Sequence, residues 1–218
     1  MSHELTPDKI MQLGIGFWSS KTVLSAIELG LFTELAKGPQ DPESQRTRLE
    51  LHPRSARDFF DALVSLGMLQ RNNDKYANTL ESDLFLDRAK SSYIGGGLEM
   101  CNARLYGFWG DLTTALKTGE QQNEASEGKM VLLCFTPTDP PRLKQFLSAM
   151  TGLSMGIAKA LALKFPWANY KSFVDVGGAQ GCGPVQIALA HSHLAGGNFD
   201  LPVVGPIFKE YVQSFEAS

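Results

Sequence analysis

A short apolar segment that runs into a glycine-dense turn constrains this chain more than any other feature. Residues 173–183 read Phe-Val-Asp-Val-Gly-Gly-Ala-Gln-Gly-Cys-Gly, and glycine lets a backbone turn sharply and approach a ligand without a Cβ in the way. A helix is predicted from Pro184 to Ala190, because proline suits the first helical position, and a second short strand ends within residues 198–202. Strand, helix and strand in this order predict the first βαβ step of a nucleotide-binding α/β domain.

The spacing of the glycines and of the next acid narrows the class of ligand. Gly177, Gly178, Gly181 and Gly183 do not match the G-x-G-x-x-G pattern, which argues against a pyrophosphate-binding NAD or FAD site. Asp200 follows Gly177 by 23 residues, and a carboxylate at the end of the next strand accepts hydrogen bonds from the ribose hydroxyls of a nucleoside. Two other interpretations stay open: a tight turn that binds no ligand, and a solvated loop acid at position 200.

Composition and charge argue against several classes of function. The 218 residues are 43% apolar and 20% charged, with a net charge of −3, so no basic field favours nucleic acid or an anionic membrane. The apolar runs are only a few residues long, which predicts no membrane span. Cys101, Cys134 and Cys182 form no C-x-x-C pair and indicate reduced thiols in a cytoplasmic protein. No cluster of metal ligands is expected.

Residues 40–80 have the pattern of two helices followed by a hairpin. A short helix is predicted over residues 42–49 and a second over residues 53–66, with Gly67 as the residue that ends it. Residues 68–77 then alternate around a polar turn and predict a β-hairpin. Helix, helix and hairpin in this order predict a winged helix.

Winged helices often bind DNA, but the charges here argue against it. Residues 1–90 contain 11 Lys and Arg against 13 Asp and Glu, a local net charge of −2. Arg54 and Arg57 on the second helix are accompanied by Asp58 and Asp61, whereas a DNA-reading helix needs charge that neutralises phosphates. The sequence therefore favours a helical module that packs against a partner chain.

The rest of the chain is predicted to be mostly helical. A helix rich in large apolar side chains is expected over residues 98–118, a polar loop over residues 119–130, and a long helix from Asp139 to about Leu163. The long helix has an apolar stripe at helical spacing, formed by Leu143, Phe146, Leu147, Met150, Leu153, Ile157 and Leu161. A last helix is predicted from residue 208 to the end.

Taken together, these motifs resemble one family of enzymes. Residues 174–181, followed by residues 190–194 and by Phe-Asp-Leu-Pro at residues 199–202, are similar to the S-adenosylmethionine-dependent O-methyltransferases of the caffeate and acetylserotonin type and their bacterial relatives. Residues 28–32 and 66–69 resemble the N-terminal dimerisation domain of that family. The resemblance therefore covers essentially the whole chain, and the Phe-Asp-Leu-Pro segment is its more specific part.

The resemblance implies a domain organisation. We expect a mainly α winged-helix dimerisation domain at residues 1–118, a connecting loop and long helix at residues 119–165, and an incomplete Rossmann-like domain for S-adenosylmethionine at residues 166–218. It further implies a homodimer that transfers a methyl group from S-adenosylmethionine to a hydroxyl of a small, aromatic acceptor. The competing hypotheses are a dimerisation or interaction module and a degenerate methyltransferase fragment without catalysis.

The resemblance also implies cofactor-binding residues. Gly177 and Gly178 are expected to contact the aminocarboxypropyl end of S-adenosylmethionine, with Asp175 beside them, and Asp200 is expected to hold the ribose. In the long helix, Phe146 and Met150 would line the acceptor pocket and Ser154 would reach the cofactor.

The residue types at these three helix positions also bear on whether they form a site or belong to the core. Phe146, Met150 and Ser154 are four residues apart, so one face of the helix presents all three. Phenylalanine and methionine at this spacing are often plain core residues. Ser154 is expected to be functional because a buried hydroxyl within an apolar stripe needs a partner.

The chain departs from the family pattern in two places. Ala179 and Gln180 stand where Gly-Thr is usual, and Gln180 is expected either to reach the cofactor or to crowd the turn. The family's catalytic base would lie beyond residue 218, so no catalytic residue is predicted in this chain and little turnover is expected from it alone. His191 and His193, at the end of the helix after the turn, are not expected to act as the base.

Overall fold

The computed structural model describes residues 5–90, 92–123 and 140–216. The chain divides into two compact units, Met1–Tyr93 and Ile94–Ser218, here called the N-terminal and C-terminal units. Each unit is described by itself.

The described residues of the N-terminal unit form helices and one hairpin. In chain order these are α1 (Asp8–Glu28), α2 (Leu31–Leu35), α3 (Pro42–Arg48), α4 (Ala56–Ser65), β1 (Leu69–Asn72), β2 (Lys75–Asn78) and α5 (Leu80–Leu86). The predicted helices at 42–49 and 53–66 are confirmed, although α4 begins three residues later because residues 53–55 form a turn. Gly67 has φ +71° and directly follows the last turn of α4, as a helix-ending glycine should.

Helix α1 is buried only near its end. Leu24 and Ile27 are 6% and 2% exposed, whereas Leu13 and Phe17 are 75% and 53% exposed. The helix continues through Gly14 without a break. The first half of α1 therefore presents large apolar side chains to the solvent, and only its second half belongs to the core of the described residues.

The predicted hairpin is confirmed. Strands β1 and β2 pair antiparallel, with Leu69 opposite Asn78 and Asn72 opposite Lys75. The two turn residues, Asn73 and Asp74, have φ of +49° and +59°, the left-handed conformation that matches the twist of a two-residue hairpin. Asparagine and aspartate tolerate this conformation better than other residues with a Cβ.

Tyr76 anchors the hairpin to α4. Its side chain is fully buried, and its hydroxyl donates a 2.7 Å hydrogen bond to Oδ1 of Asp61. Arg71 forms a 3.0 Å ion pair with the same carboxylate. Burial, followed by the hydrogen bond to Asp61, raises the pKa of Tyr76 to about 12, and the hydrogen bond from Tyr76 is the main cause that lowers the pKa of Asp61.

We expect Tyr76→Phe to reduce the loss of stability at alkaline pH. The folded phenol keeps its proton up to about pH 12, whereas the unfolded phenol ionises near pH 10. Its contribution is therefore complete below about pH 10 and disappears as the pH rises towards about 12. Urea unfolding at about pH 8 and pH 11 measures the effect as the difference between the two proteins. Equal pH dependence of the free energy of unfolding in both would contradict the assignment.

The C-terminal unit contains the long helix and a parallel strand pair. Its described elements are α6 (Gly95–Met100), a π-helical turn (Cys101–Leu105), α7 (Tyr106–Trp109), α8 (Leu112–Thr118), α9 (Pro140–Lys164), a 3₁₀ turn (Trp167–Asn169), β3 (Ser172–Val176), α10 (Cys182–Ala190), β4 (Ala195–Phe199), a second 3₁₀ turn (Pro202–Val204) and α11 (Gly205–Glu216).

The single helix predicted over residues 98–118 is wrong. The segment is divided into α6, the π-helical turn, α7 and α8. The break before α8 falls at Gly110, whose N–H donates to Gly107 O, and glycine weakens a helix interior by about 1 kcal/mol. Only residues 119–123 of the predicted polar loop belong to the described part of the chain, and Asp139, the predicted start of the long helix, lies outside it.

Helix α9 confirms the predicted long helix but only part of its apolar stripe. Leu143 and Leu147 are buried against Val204, and Ala162 packs with Trp167. Leu153, Ile157 and Leu161 are instead 59%, 73% and 44% exposed. Met155 and alanines therefore face the core in the second half of α9, which leaves Leu153, Ile157 and Leu161 on an open face.

Helix α9 also bears on the prediction that no segment spans a membrane. It is long and apolar enough to cross a bilayer by length and composition alone, a test that the core helix of a soluble protein also passes. Within the C-terminal unit it packs against α6 and α10. Of its apolar 18-residue window 33% is buried, and one helix of this length and composition is weak evidence for a membrane span.

Strands β3 and β4 are parallel and joined by α10. The register places Ser172 opposite Ala195 and Val176 opposite Phe199, so the predicted strand–helix–strand order is confirmed. One face of β3 is open among the described residues, because Val174 and Val176 are 65% and 75% exposed. Helix α10 begins at Cys182, two residues before Pro184, since Gly181 is already its N-cap.

Candidate functional site

A cavity of about 740 Å³ lies in the C-terminal unit between α9, the turn after β3 and the residues after β4. The structure brings all seven predicted site residues to its wall: Phe146, Met150, Ser154, Asp175, Gly177, Gly178 and Asp200. Its volume is in the range of cavities that hold small molecules and cofactors. The sequence-based set is therefore a spatial cluster, although its members are up to 54 residues apart in the chain.

The turn after β3 is held by hydrogen bonds to residues at the end of β4. Gly177 has φ +76°, and its N–H donates a 2.8 Å hydrogen bond to Phe199 O at the end of β4. Ala179 has φ +53°, which costs a residue with a Cβ roughly 1–2 kcal/mol. Asn198 Nδ2 donates to Ala179 O at 3.0 Å, a contact that helps to offset this cost.

The carboxylate of Asp175 lies directly beneath the turn. A Cβ on Gly178 would meet Asp175 Oδ2 at 2.7 Å and Asn198 Oδ1 at 2.1 Å, and a Cβ on Gly183 would meet Asp175 Oδ2 at 3.0 Å. At these distances the side chains of Asp175 and Asn198 would have to shift to make room for a Cβ. Glycine at 178 therefore lets both side chains lie against the turn at the cavity.

Asp200 connects the end of β4 to the turn. Its Oδ2 accepts a 2.8 Å hydrogen bond from the N–H of Ala179, and its Oδ1 accepts one of 2.7 Å from the N–H of Leu201. A carboxylate has about four acceptor positions, so roughly two remain for a ligand. Asp200 thus both shapes the turn and offers acceptors to the cavity.

The α9 wall of the cavity differs from the prediction in one respect. Phe146, Met150 and Ser154 do line the cavity together. Ser154, however, is exposed rather than buried, so the argument from a buried hydroxyl does not apply to it. That argument applies instead to Thr151, which also lines the cavity and whose Oγ1 is buried without a hydrogen-bond partner among the described residues.

Thr151 was missed by sequence reasoning, although a signal for it was present. It is a polar residue inside the apolar stripe of α9, next to Met150 and three positions before Ser154, where a hydroxyl is as unusual as at position 154. Its backbone carbonyl accepts the thiol of Cys182 at 3.9 Å. This contact places Thr151 against the first residue of α10.

Cys182 forms part of the cavity wall beside α9. It packs with Met155 and Ala158. Burial is the main cause that raises the pKa of the Cys182 thiol. Because the thiolate is the nucleophilic form of cysteine, a protonated thiol here serves as a packing group and not as a nucleophile.

Gln180, His191 and His193 lie away from the larger cavity. Gln180 is buried and lines a separate cavity of about 190 Å³ together with Tyr211 and Lys144, so it neither reaches the larger cavity nor crowds it. His191 hydrogen-bonds through Nε2 to Ala162 O at 2.7 Å, and His193 packs beside it; neither lines the larger cavity. The described residues contain no group of three or more acidic, histidine or cysteine side chains suited to a metal ion.

Comparison with known proteins connects both units to methyltransferases. Residues 11–88 match the model of the O-methyltransferase dimerisation domain. The chain is 40% identical over 218 residues to the tetracenomycin polyketide synthesis 8-O-methyl transferase TcmO of Streptomyces glaucescens, an alignment covering 100% of this chain and 63% of TcmO. It is 36% identical over 204 residues to the N,N-dimethyltransferase OxyT of Streptomyces rimosus, covering 94% of this chain and 59% of OxyT.

A solved structure shows that the fold is shared. Human N-acetylserotonin methyltransferase, crystallised in complex with S-adenosylmethionine, superposes with a TM-score of 0.83 at 23% identity, covering 96% of this chain and 64% of that one. This chain thus spans about three fifths of the length of the proteins it matches. The resemblance found in the sequence is confirmed: residues 11–88 match the dimerisation domain of O-methyltransferases, and the whole chain is similar to part of a bacterial polyketide O-methyltransferase.

Proposed function

We propose that this chain binds S-adenosylmethionine in the cavity beside the glycine turn and takes part in transfer of its methyl group to a small aromatic acceptor. The observation that carries the proposal is the convergence of Asp175, Gly178, Asp200 and the α9 side chains on one cavity. Homology to TcmO supports the same reaction. In finer detail, α3, α4 and the hairpin would form a winged helix, and β3, α10 and β4 the first step of a Rossmann-like domain.

The donor set of the cavity fits S-adenosylmethionine. Its ribose offers hydroxyl donors, which suit the two acceptor positions left on Asp200. Its ammonium group suits the carboxylate of Asp175, which lies under Gly178. Nothing lies within 4 Å of the position that a Cβ of Gly177 would take, so the amino-acid end of the donor can approach the backbone closely there.

The bound donor supplies an electrophilic methyl group on its sulfonium. The contribution of this chain is to align that methyl with the acceptor and to keep water away from it. No described lining residue is assigned to removal of the acceptor's proton. The residues proposed here therefore act in binding and orientation.

An apolar wall opposite the turn supports a flat, aromatic acceptor. Phe146 and Met150 line it together with Ile157 and Leu161. Aromatic rings pack well on phenylalanine and on the polarisable sulfur of methionine. A hydroxyl is the first candidate for the accepting group, in agreement with the name of TcmO. An amine is the second, because OxyT at 36% identity is named an N,N-dimethyltransferase.

A second copy of the chain is the proposed partner. The match of residues 11–88 to a dimerisation domain supports this. The exposed apolar side chains in the first half of α1, Leu13 and Phe17 among them, are the surface proposed for it, because apolar patches of this kind mark interaction sites.

The proposed location is the cytoplasm.

Titration calorimetry with S-adenosylhomocysteine tests the donor site. We expect one molecule bound per chain with a dissociation constant below about 100 μM, since a cavity of this kind contacts most of such a ligand. ATP serves as the control ligand, as the acidic pair Asp175 and Asp200 disfavours a triphosphate. Absence of heat up to millimolar S-adenosylhomocysteine would reject the donor site and leave an interaction module as the function.

A methylation assay separates the two acceptor classes. The protein is incubated with S-adenosylmethionine labelled on its methyl group and with matched aromatic acceptors that carry a hydroxyl or an amine. Label in the hydroxylated compound supports O-methylation, and label in the amine supports the second candidate. Donor binding without transfer to either class would identify the degenerate fragment considered from the sequence.

A further inference from the structure

Thr151 is a polar residue of the donor cavity to which neither the resemblance nor the comparisons give a role. It lines the cavity, and its Oγ1 is enclosed by protein with no hydrogen-bond partner among the described residues. A buried hydroxyl without a partner costs about 1–3 kcal/mol. A ligand that offers an acceptor within reach of this side chain would remove that cost.

Thr151 lies at the part of the cavity where α9 meets the start of α10. Its carbonyl accepts the Cys182 thiol, so it is the residue of α9 beside the first turn of α10. Met155, one helical turn further on, packs on the same cysteine. The side chain of Thr151 thus stands at the junction between the cavity-facing side of α9 and the start of α10.

The groups around this junction favour a negatively charged ligand atom. The first N–H groups of a helix have no intrahelical acceptor and carry the positive end of its dipole. Asp175 and Asp200 offer only acceptors and would repel an anion, so an anionic ligand atom needs donors from groups other than these two. A threonine hydroxyl supplies such a donor. Rotation of the Thr151 side chain about χ1 to another staggered rotamer exchanges the positions of its hydroxyl and methyl groups without movement of the backbone.

The amino-acid end of the methyl donor is a zwitterion, with one ammonium and one carboxylate. Asp175 complements the ammonium, and this leaves the carboxylate to be recognised by a neutral donor. We infer that Thr151 is a binding residue for the carboxylate of the donor's amino-acid end, through a hydrogen bond from Oγ1. This inference rests on the proposed function, since it assumes that the cavity holds S-adenosylmethionine.

The experiment compares two ligands that differ at that end. S-adenosylhomocysteine has the amino-acid end, whereas 5′-methylthioadenosine keeps the nucleoside and sulfur but lacks it. We expect Thr151→Val, which replaces the hydroxyl with a methyl of equal size, to weaken S-adenosylhomocysteine binding about 10-fold, the effect of one hydrogen bond to a charged group. Binding of 5′-methylthioadenosine should change less than about twofold, and Thr151→Ser should keep the affinity of the wild type.

The controls separate this inference from the proposed function. Ser148→Ala removes a hydroxyl from the exposed side of the same helix and should leave both affinities unchanged. If Thr151→Val does not fold, as judged by circular dichroism, Thr151→Ala replaces it. An equal loss for both ligands, or no loss for S-adenosylhomocysteine, would overturn the role of Thr151. A wild-type protein that binds neither ligand would overturn the donor site itself.

Discussion

Asp200→Ala should weaken S-adenosylhomocysteine binding by about 100-fold. The carboxylate is expected to accept hydrogen bonds from two ribose hydroxyls, and hydrogen bonds to charged groups contribute about 1.5–3 kcal/mol each. Its loss also removes the acceptors of the Ala179 and Leu201 N–H groups, so the turn itself becomes less ordered. Calorimetric titration of wild type and variant at the same ionic strength measures the change.

A matched aspartate controls for the loss of charge alone. Asp58→Ala removes an exposed carboxylate from α4, which belongs to the N-terminal unit and does not line the cavity, and should leave the affinity unchanged. Thermal unfolding of both variants shows whether Asp200→Ala is still folded at the temperature of the titration. An affinity for S-adenosylhomocysteine within twofold of the wild type would contradict the role given to Asp200.

The second large effect is expected on association. Leu13→Glu combined with Phe17→Glu should convert a dimer into a monomer at micromolar concentration, since a carboxylate buried in an apolar interface without a partner is costly. Both side chains are more than half exposed within one chain, so the substitutions should not disturb its fold. Sedimentation equilibrium gives the association constant directly.

The control places the same charge on another exposed leucine. Leu163 near the end of α9 is 80% exposed, and Leu163→Glu should leave the dimer intact. A wild-type protein that sediments as a monomer would contradict the proposed homodimer. A double variant that dimerises as strongly as the wild type would show that the first half of α1 is not the interface.

The fold was predictable wherever local chemistry decides it. Gly67 ends α4, and Asn73 and Asp74 adopt the left-handed turn of the hairpin. Glycine, asparagine and aspartate tolerate a positive φ, so they are preferred at these positions. The interruption between residues 98 and 118 was not predictable by periodicity, since large apolar side chains continue through it. Glycine at 107 and 110 was the available signal, and it was outweighed by the apolar pattern.

Burial was harder to predict than helix position. The large residues Ile157 and Leu161 of α9 are exposed although they continue the apolar stripe, because the side of α9 that packs on Cys182 and Trp167 uses Met155 and alanines. An apolar residue at the correct helical spacing faces either a core or a cavity, and the sequence alone does not distinguish them. Exposure also alternates along β3, and the sequence alone does not show which of its apolar residues face the core.

The grouping of the candidate site residues around one cavity was predicted more completely than the fold around it, and their roles are proposals. The strand pattern alone predicts that Asp175 and Asp200 lie close together, because the carboxyl ends of parallel strands meet at one edge of a sheet. Their approach to the α9 residues was implied only by the resemblance to methyltransferases. Thr151 was not predicted from the sequence. What distinguishes it is a buried hydroxyl without a hydrogen-bond partner among the described residues, and burial is known only from the structure.

A crystal structure of the protein with S-adenosylhomocysteine tests the central claim most directly. The ligand should occupy the cavity between α9 and the turn after β3, with ribose hydroxyls within about 3.2 Å of the Asp200 carboxylate and the amino-acid end beside Gly177 and Gly178. A ligand bound anywhere else in crystals that contain it at saturating concentration, or a nucleoside turned so that its ribose lies away from Asp200, would contradict it.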